Sequence, residues 1–207
     1  MLKDRRDAGK KLADKLKSYI GKNAIVLALP RGGVVVGAEI SKELSLPLDV
    51  IVTRKIGHPS NPEYAIGAVN EEGLTVLNEF EISSIDKNYL QSEIENQKEE
   101  AKRRVKHYRK DKVFPDLRGK LAILVDDGIA TGFTMRLAIK AAKKQRPEKI
   151  IVATAVAPLD VIEELKREGA DKIVLIESSH KFLGSVGAYY KEFDQTSDKE
   201  VVELLNY

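Results

Sequence analysis

Two adjacent carboxylates, Asp126 and Asp127, end an apolar run, Ile123-Leu124-Val125, and are followed by Gly128-Ile129-Ala130-Thr131-Gly132-Phe133-Thr134. The pattern reads as a buried strand that delivers two acids into a small-residue loop opening a helix. Ligands favour that end of an open α/β sheet. Gly132 lets the backbone approach an anion closely, Thr131 and Thr134 offer hydroxyl donors, and the helix start presents unpaired N–H groups with a favourable dipole. Such a loop suits a phosphate monoester. The two acids would repel that phosphate if they pointed into the loop, but from the strand end they can reach hydroxyl groups or a metal ion. A sugar phosphate satisfies both halves.

Four or five hydrogen bonds to charged oxygens, at roughly 1.5 kcal/mol each, give about 6 to 8 kcal/mol gross. Micromolar binding needs about 8 kcal/mol net, after ordering and desolvation, so contacts to the ligand's other end are required. Pro30-Arg31-Gly32-Gly33 can supply them. It follows another apolar run, Ala24 to Leu29; its glycines expose backbone N–H groups, and Arg31 offers a planar fork matched to pyrophosphate oxygens. Arg54 and Lys55, at the end of a further apolar run, are either ordinary surface charges or part of a ligand loop.

These segments need a scaffold, and the hydrophobic pattern provides one. Ala8, Leu12, Leu16 and Ile20 form one stripe of a leading helix that Gly21 ends. Ala24–Leu29 reads as a strand, with a helix from Gly32-Gly33 to about Leu44, and Leu48–Thr53 as a second buried strand. The segment from Gly57 to Pro62 is loop by composition. Ala65–Val69 and Leu74–Leu77 are two short strands around Asn70-Glu71-Glu72-Gly73. A long, mostly solvated helix runs from about Ile85 to Arg109, with Leu90, Ile94, Ala101, Val105 and Tyr108 as its sparse apolar stripe. Strand 121–125, helix 134–144, strand 150–156, helix 159–167 and strand 173–176 follow, and a closing helix spans about 198–205. This alternation predicts an α/β fold, a mostly parallel sheet flanked by helices, with a small cap or hood from terminal and inserted segments. The chain is read as one domain, 1–207, with a hairpin and long-helix insertion at about 57–115 and a C-terminal cap segment at about 177–207.

Composition narrows the function. Among 207 residues, 35 basic side chains against 32 acidic leave a net charge of +3 spread along the chain, which gives no reason to expect a nucleic-acid partner. No cysteine occurs, which excludes thiolate catalysis and Cys-based zinc sites and points to a reducing cytoplasm. No apolar run is long enough for a membrane span. The Gly-x4-Gly-Lys-Ser/Thr, Gly-x-Gly-x-x-Gly and Gly-x-Ser-x-Gly patterns are all absent, against a P-loop, a dinucleotide site and a serine hydrolase elbow. His58, His107 and His180 lack metal-ligand spacing. The basic turn at Lys102, Arg103, Arg104 and Lys106 follows several Glu residues and reads as a solvated helix face. The late aromatics, Phe182, Tyr189, Tyr190 and Phe193, read as cap packing.

The apolar run, the acidic pair and Ala-Thr-Gly-Phe-Thr resemble the phosphoribosyl pyrophosphate motif of type I phosphoribosyltransferases, over about a dozen consecutive positions. Arg31-Gly32-Gly33 sits where that family has its pyrophosphate loop, and Arg54-Lys55 with the following hairpin where it has a mobile loop. The overall pattern is most similar to a subgroup of unsettled substrate, with which the Val186-Gly187 and Tyr189-Tyr190 stretch also agrees. The resemblance implies that Asp126 and Asp127 hold the ribose hydroxyls and that the loop from Gly128 through Ile129 and Ala130 to Thr134 holds the 5-phosphate. It implies that Arg31 to Gly33 meet pyrophosphate, often through a cis peptide, with Mg²⁺ riding on the pyrophosphate and ribose hydroxyls. Lys55 is the candidate for a catalytic role in a closing loop, with Arg54 beside it in substrate binding. The implied reaction transfers the phosphoribosyl group to a purine or pyrimidine base with release of pyrophosphate, in a homodimer. The alternative is a regulatory protein that binds phosphoribosyl pyrophosphate without transferring it. The base-recognition signatures of the hypoxanthine, adenine, uracil and orotate enzymes are missing, so the acceptor stays open.

Overall fold

The computed structural model describes residues 1–110, 112–179 and 182–206; His180 lies outside them. The elements are α1 (Arg5–Lys15), β1 (Ala24–Ala28), α2 (Gly32–Leu44), β2 (Leu48–Val50), β3 (Thr53–His58), β4 (Asn61–Asn70), β5 (Thr75–Leu77), α3 (Glu79–Ile82) and α4 (Lys87–Arg109). They continue as β6 (Leu121–Asp126), α5 (Phe133–Lys144), β7 (Lys149–Pro158), α6 (Leu159–Glu168), β8 (Lys172–Ser179) and α7 (Asp198–Leu205). Five strands form a sheet in the order β2-β1-β6-β7-β8, every neighbouring pair parallel.

Strands buried on both faces explain the unbroken apolar runs. Val26, Ile123, Val125, Ile151 and Ala153 point to one side, where they pack with Leu12 and Leu16 near α1 and Val36, Ile40 and Leu44 of α2. The alternate residues Ile25, Leu27, Leu124, Ile150 and Val152 point to the other, against Met135 and Ile139 of α5 and Ile162 and Leu165 of α6. The parallel α/β sheet flanked by helices is therefore the arrangement the alternation predicts.

A second, antiparallel sheet in the order β3-β4-β5 stands beside the first. One of its faces packs Ala65, Ala68 and Val76 on Phe133 and Leu137 of α5; the other packs Ile56, Ile66 and Val69 against Ile85 and the α4 residues Tyr89, Leu90 and Ile94. The turn between β4 and β5 closes through Asn70, whose Oδ1 accepts from the Glu72 and Leu74 amides at 3.1 and 2.8 Å.

Three local expectations change. The strand read over Leu48–Thr53 ends at Val50, the last residue in register with β1, and Thr53 already pairs with Asn70 in the second sheet. The Gly57–Pro62 loop shrinks to a turn at Pro59-Ser60, because β3 continues through a bulge at Gly57 to His58 and the His58 ring closes the turn onto Ser60 Oγ at 2.7 Å. Ile20 leaves the α1 stripe: the helix stops at Lys15, and Ile20 is 53% exposed.

Leu124 is fully buried in the central strand. Leu124→Ala is expected to lower stability by about 2 to 5 kcal/mol, read as a fall in the urea midpoint without a change in slope.

Candidate functional site

The sheet brings the two glycine-bearing loops together because β1 and β6 are neighbours, Ala28 in register with Val125. Arg31-Gly32-Gly33 leaves the end of β1 and opens α2; the Pro30–Arg31 peptide bond is cis. Asp126 ends β6 and Asp127 follows it. The contact between them is main chain against side chain: a Cβ on Gly32 would lie 2.0 Å from Asp127 Oδ2, and one on Gly33 would lie 2.8 Å from the Val125 carbonyl oxygen and 3.0 Å from Asp126 Oδ1. No side chain larger than hydrogen fits at either position without displacing the acidic pair.

Asp126 accepts a hydrogen bond from the Asp127 amide at 2.9 Å. Burial, and then the charge of Asp127 beside it, push its carboxyl well above the usual carboxylate range, against the opposing pull of Arg5. Asp127 is held by Arg5, whose Nε donates to Oδ2 at 2.6 Å with both side chains largely buried. The same guanidinium donates to the Asp194 carbonyl oxygen at 2.6 Å and stacks on the Phe193 ring at 3.8 Å. Tyr190 donates its hydroxyl to the Asp127 carbonyl oxygen at 2.5 Å, and Val186 rests where a Cβ on Gly128 would be, 2.3 Å from its Cγ1.

The loop that follows is fixed at both ends. The Ile129 amide donates to the Val156 carbonyl oxygen at 2.9 Å and its side chain is buried. Ala130 and Thr131 are exposed, Gly132 takes φ +78° as it caps α5, and Thr134 lies half-buried in the first helical turn. Phe133 turns its ring into the packing under β4 and β5, so only its main chain is left to face a ligand. The exposed, small, hydroxylated part is thus Ala130–Thr131 at the start of a helix, a place that favours an anion.

Arg54 and Lys55 lie in a strand rather than a loop, because both are in register with β4, opposite Val69 and Ala68. Their side chains consequently part. Arg54 goes to α4, donating Nε to Gln97 Oε1 at 3.0 Å. Lys55 shares the face of Ala68, which packs on Phe133, and its ammonium is held by Glu63 at 3.0 Å; among the described residues it forms no ion pair with Asp126 or Asp127. The sequence reading missed Arg5 and Tyr190 as partners of Asp127. Tyr190 belongs to the aromatic stretch read as packing; Arg5 carries no signal of its own, since only the fold brings residue 5 to residue 127.

Residues 2–191 match the phosphoribosyl transferase domain family. The chain belongs to that family. Two Mycobacterium tuberculosis proteins, from strains CDC 1551 and H37Rv and provisionally named phosphoribosyl transferases, are 40% identical to it over 205 residues, 98% of this chain and 46% of each relative. This phosphoribosyltransferase-family chain therefore spans about half the length of those relatives. The crystal structure of TT1426 from Thermus thermophilus is 38% identical, with a TM-score of 0.78 over 99% of this chain and 97% of that one. Among the described residues, no helix is long and apolar enough to cross a membrane.

Two outcomes are expected. A carboxyl whose pKa rises on folding binds its proton more tightly in the folded chain, so Asp126 contributes stability at low pH that is lost as pH rises from about 4 through its raised value. Asp126→Asn should flatten that dependence in urea titrations of the ligand-free protein as pH rises from about 4; equal slopes for variant and wild type would show that Asp126 ionises freely. Arg5→Gln strips the counter-ion from a largely buried pair, and a fall of about 3 kcal/mol in unfolding free energy is expected.

Proposed function

We propose that the chain is a phosphoribosyltransferase that moves the phosphoribosyl group of phosphoribosyl pyrophosphate onto a nitrogenous base and releases pyrophosphate. The observation that carries this reading is the contact of Gly32 and Gly33 with Asp126 and Asp127, which makes one site of two anion loops and a pair of hydroxyl acceptors. In this reading Ala130 to Thr134 hold the 5-phosphate, with the main chain of Gly128, Ile129 and Phe133 shaping the loop. Asp126 and Asp127 take the ribose hydroxyls, and Arg31, Gly32 and Gly33 take pyrophosphate.

The bond from the anomeric carbon to the pyrophosphate oxygen breaks, its electron pair leaving with pyrophosphate, and a ring-nitrogen lone pair of the base forms the new bond. Positive charge builds on the sugar between these events, beside the Asp126–Asp127 pair, whose negative charge stabilises it electrostatically. Arg31 stabilises the departing pyrophosphate. Lys55 joins the site on release from Glu63, and Arg54 binds the ligand from the other face of β3. Among the described residues no group of three His, Asp or Glu side chains could cage a metal, and one of the two carboxylates present is already paired with Arg5. That donor set fits a Mg²⁺ ion shared with ligand oxygens, where it would neutralise pyrophosphate charge.

The domain assignment belongs to the same proposal: residues 1–207 act as one unit, with the insertion at 57–115 and the segment 177–207 as its cap. The absence of cysteine supports a cytoplasmic setting, and a homodimer is carried over from the family resemblance.

The test is pyrophosphate release from phosphoribosyl pyrophosphate and Mg²⁺ across a panel of purine and pyrimidine bases. Release dependent on one base is expected from the wild type and should vanish in Asp126→Asn/Asp127→Asn while folding survives. An active double variant would refute the role given to the pair, and tight ligand binding with no release for any base would favour the regulatory alternative.

A further inference from the structure

One polar group inside the main sheet has no partner, and it stands beside the site. Thr154 is fully buried in β7, and among the described residues its hydroxyl is the one buried side-chain oxygen or nitrogen without a hydrogen bond. It is also the single polar residue of the run 150–156, among Ile150, Ile151, Val152, Ala153, Ala155 and Val156. Valine has nearly the same shape, suits a strand equally well and leaves nothing unsatisfied, so packing alone favours it over threonine at this position.

Register says what the hydroxyl faces. Thr154 pairs with Asp126 of β6 on one side and with Leu175 of β8 on the other. Registered residues of neighbouring parallel strands send their side chains to the same face, from main chains about 4.8 Å apart. Asp126 is therefore the one polar side chain level with Thr154 across the ladder. Its carboxyl is incompletely satisfied in turn: Oδ1 accepts from the Asp127 amide at 2.9 Å, while no amide, guanidinium or hydroxyl donor reaches Oδ2 among the described residues. Asp127 differs, because Arg5 donates to its Oδ2 at 2.6 Å. A donor without an acceptor and an acceptor without a donor thus occupy one level of two adjacent strands.

We infer that Thr154 is a positioning residue of the site: its hydroxyl donates to Oδ2 of Asp126 when ligand is bound, and holds that carboxylate in the orientation in which it accepts from a ribose hydroxyl. The inference rests on the phosphoribosyl pyrophosphate reading, in which the acidic pair takes the ribose hydroxyls. In the free protein the two groups stay apart, and the unpaired hydroxyl costs stability that binding restores. Joining them takes a change of rotamer and leaves the ladder intact. A carboxylate fixed by a second hydrogen bond loses less freedom on gripping a ligand, so the support acts on affinity for the sugar hydroxyl and not on affinity for phosphate.

Calorimetric titration of the full chain with ribose 5-phosphate, 2-deoxyribose 5-phosphate and 3-deoxyribose 5-phosphate tests it. In the wild type each missing hydroxyl is expected to weaken binding. Thr154→Val should shrink one of those two penalties by about tenfold and leave affinity for inorganic phosphate unchanged, whereas Thr154→Ser, which keeps the hydroxyl, should retain the wild-type penalty. Urea titration of the ligand-free protein gives a second readout, in which Thr154→Val raises the midpoint because it removes an unpaired buried hydroxyl at little change of shape. Both penalties intact in Thr154→Val, or Thr154→Ser behaving like Thr154→Val, would overturn the role of the hydroxyl. A lower midpoint for Thr154→Val would overturn it too, since the hydroxyl would then be bonded already in the free protein. A wild type that binds the three sugars alike, or none of them, would instead overturn the ribose role of the acidic pair, and this inference with it.

Discussion

Two carboxylates that follow one another in the chain and fold against a neighbouring loop need a positive charge to stay there, and Arg5 provides it. Its guanidinium lies on Asp127 directly over the main chain of Gly32, at 2.6 Å from the position a Cβ on that residue would take. The ion pair therefore lies between the first helix and the loops after β1 and β6. Asp126, one residue back, holds its proton more tightly, because of its burial first and the charge of Asp127 second. The two acids thus differ in environment although their side chains are identical.

The same pair ties the ends of the described chain to the middle of the sheet. Leu2 bridges to Tyr190, Arg5 meets Phe193 and Asp194, and Tyr190 reaches the Asp127 carbonyl. Beside them, α7 packs Val201 into a cluster with Val34 of α2, Val50 of β2 and Ala101 and Tyr108 of α4. The segments surrounding the site are thus built on ordinary apolar burial plus a few directed polar contacts, two of which, from Arg5 and Tyr190, end on Asp127.

Local signals carried most of the main sheet into view from sequence. The runs at 24–29 and 121–125 are apolar without interruption, and that at 150–156 but for Thr154, because both faces are covered, and Gly32, Gly132 and Gly169 mark the helix ends where the chain must turn. The acidic pair and the glycines were legible for the same reason, since each demand is met within a few residues. Pairing between distant segments was not. Thr53 to His58 carries Arg, Lys, Gly and His and looks like a loop, yet a ladder to β4 makes it a strand, and that ladder sends Arg54 and Lys55 to opposite faces. Arg5 and Asp127 are 122 residues apart, a separation at which no periodicity speaks.

Adjacent parallel strands fix one dimension of the site independently of any side chain. The loops after β1 and β6 start about 4.8 Å apart, one interstrand step, and that step is held by main-chain hydrogen bonds running the length of both strands. Substitutions around the site can change the side chains that face it, but the distance between the two loop edges stays that of the ladder. The side chains that face the site and the spacing of the two loops that frame it are therefore separate properties of this fold, the first open to replacement and the second set by the backbone.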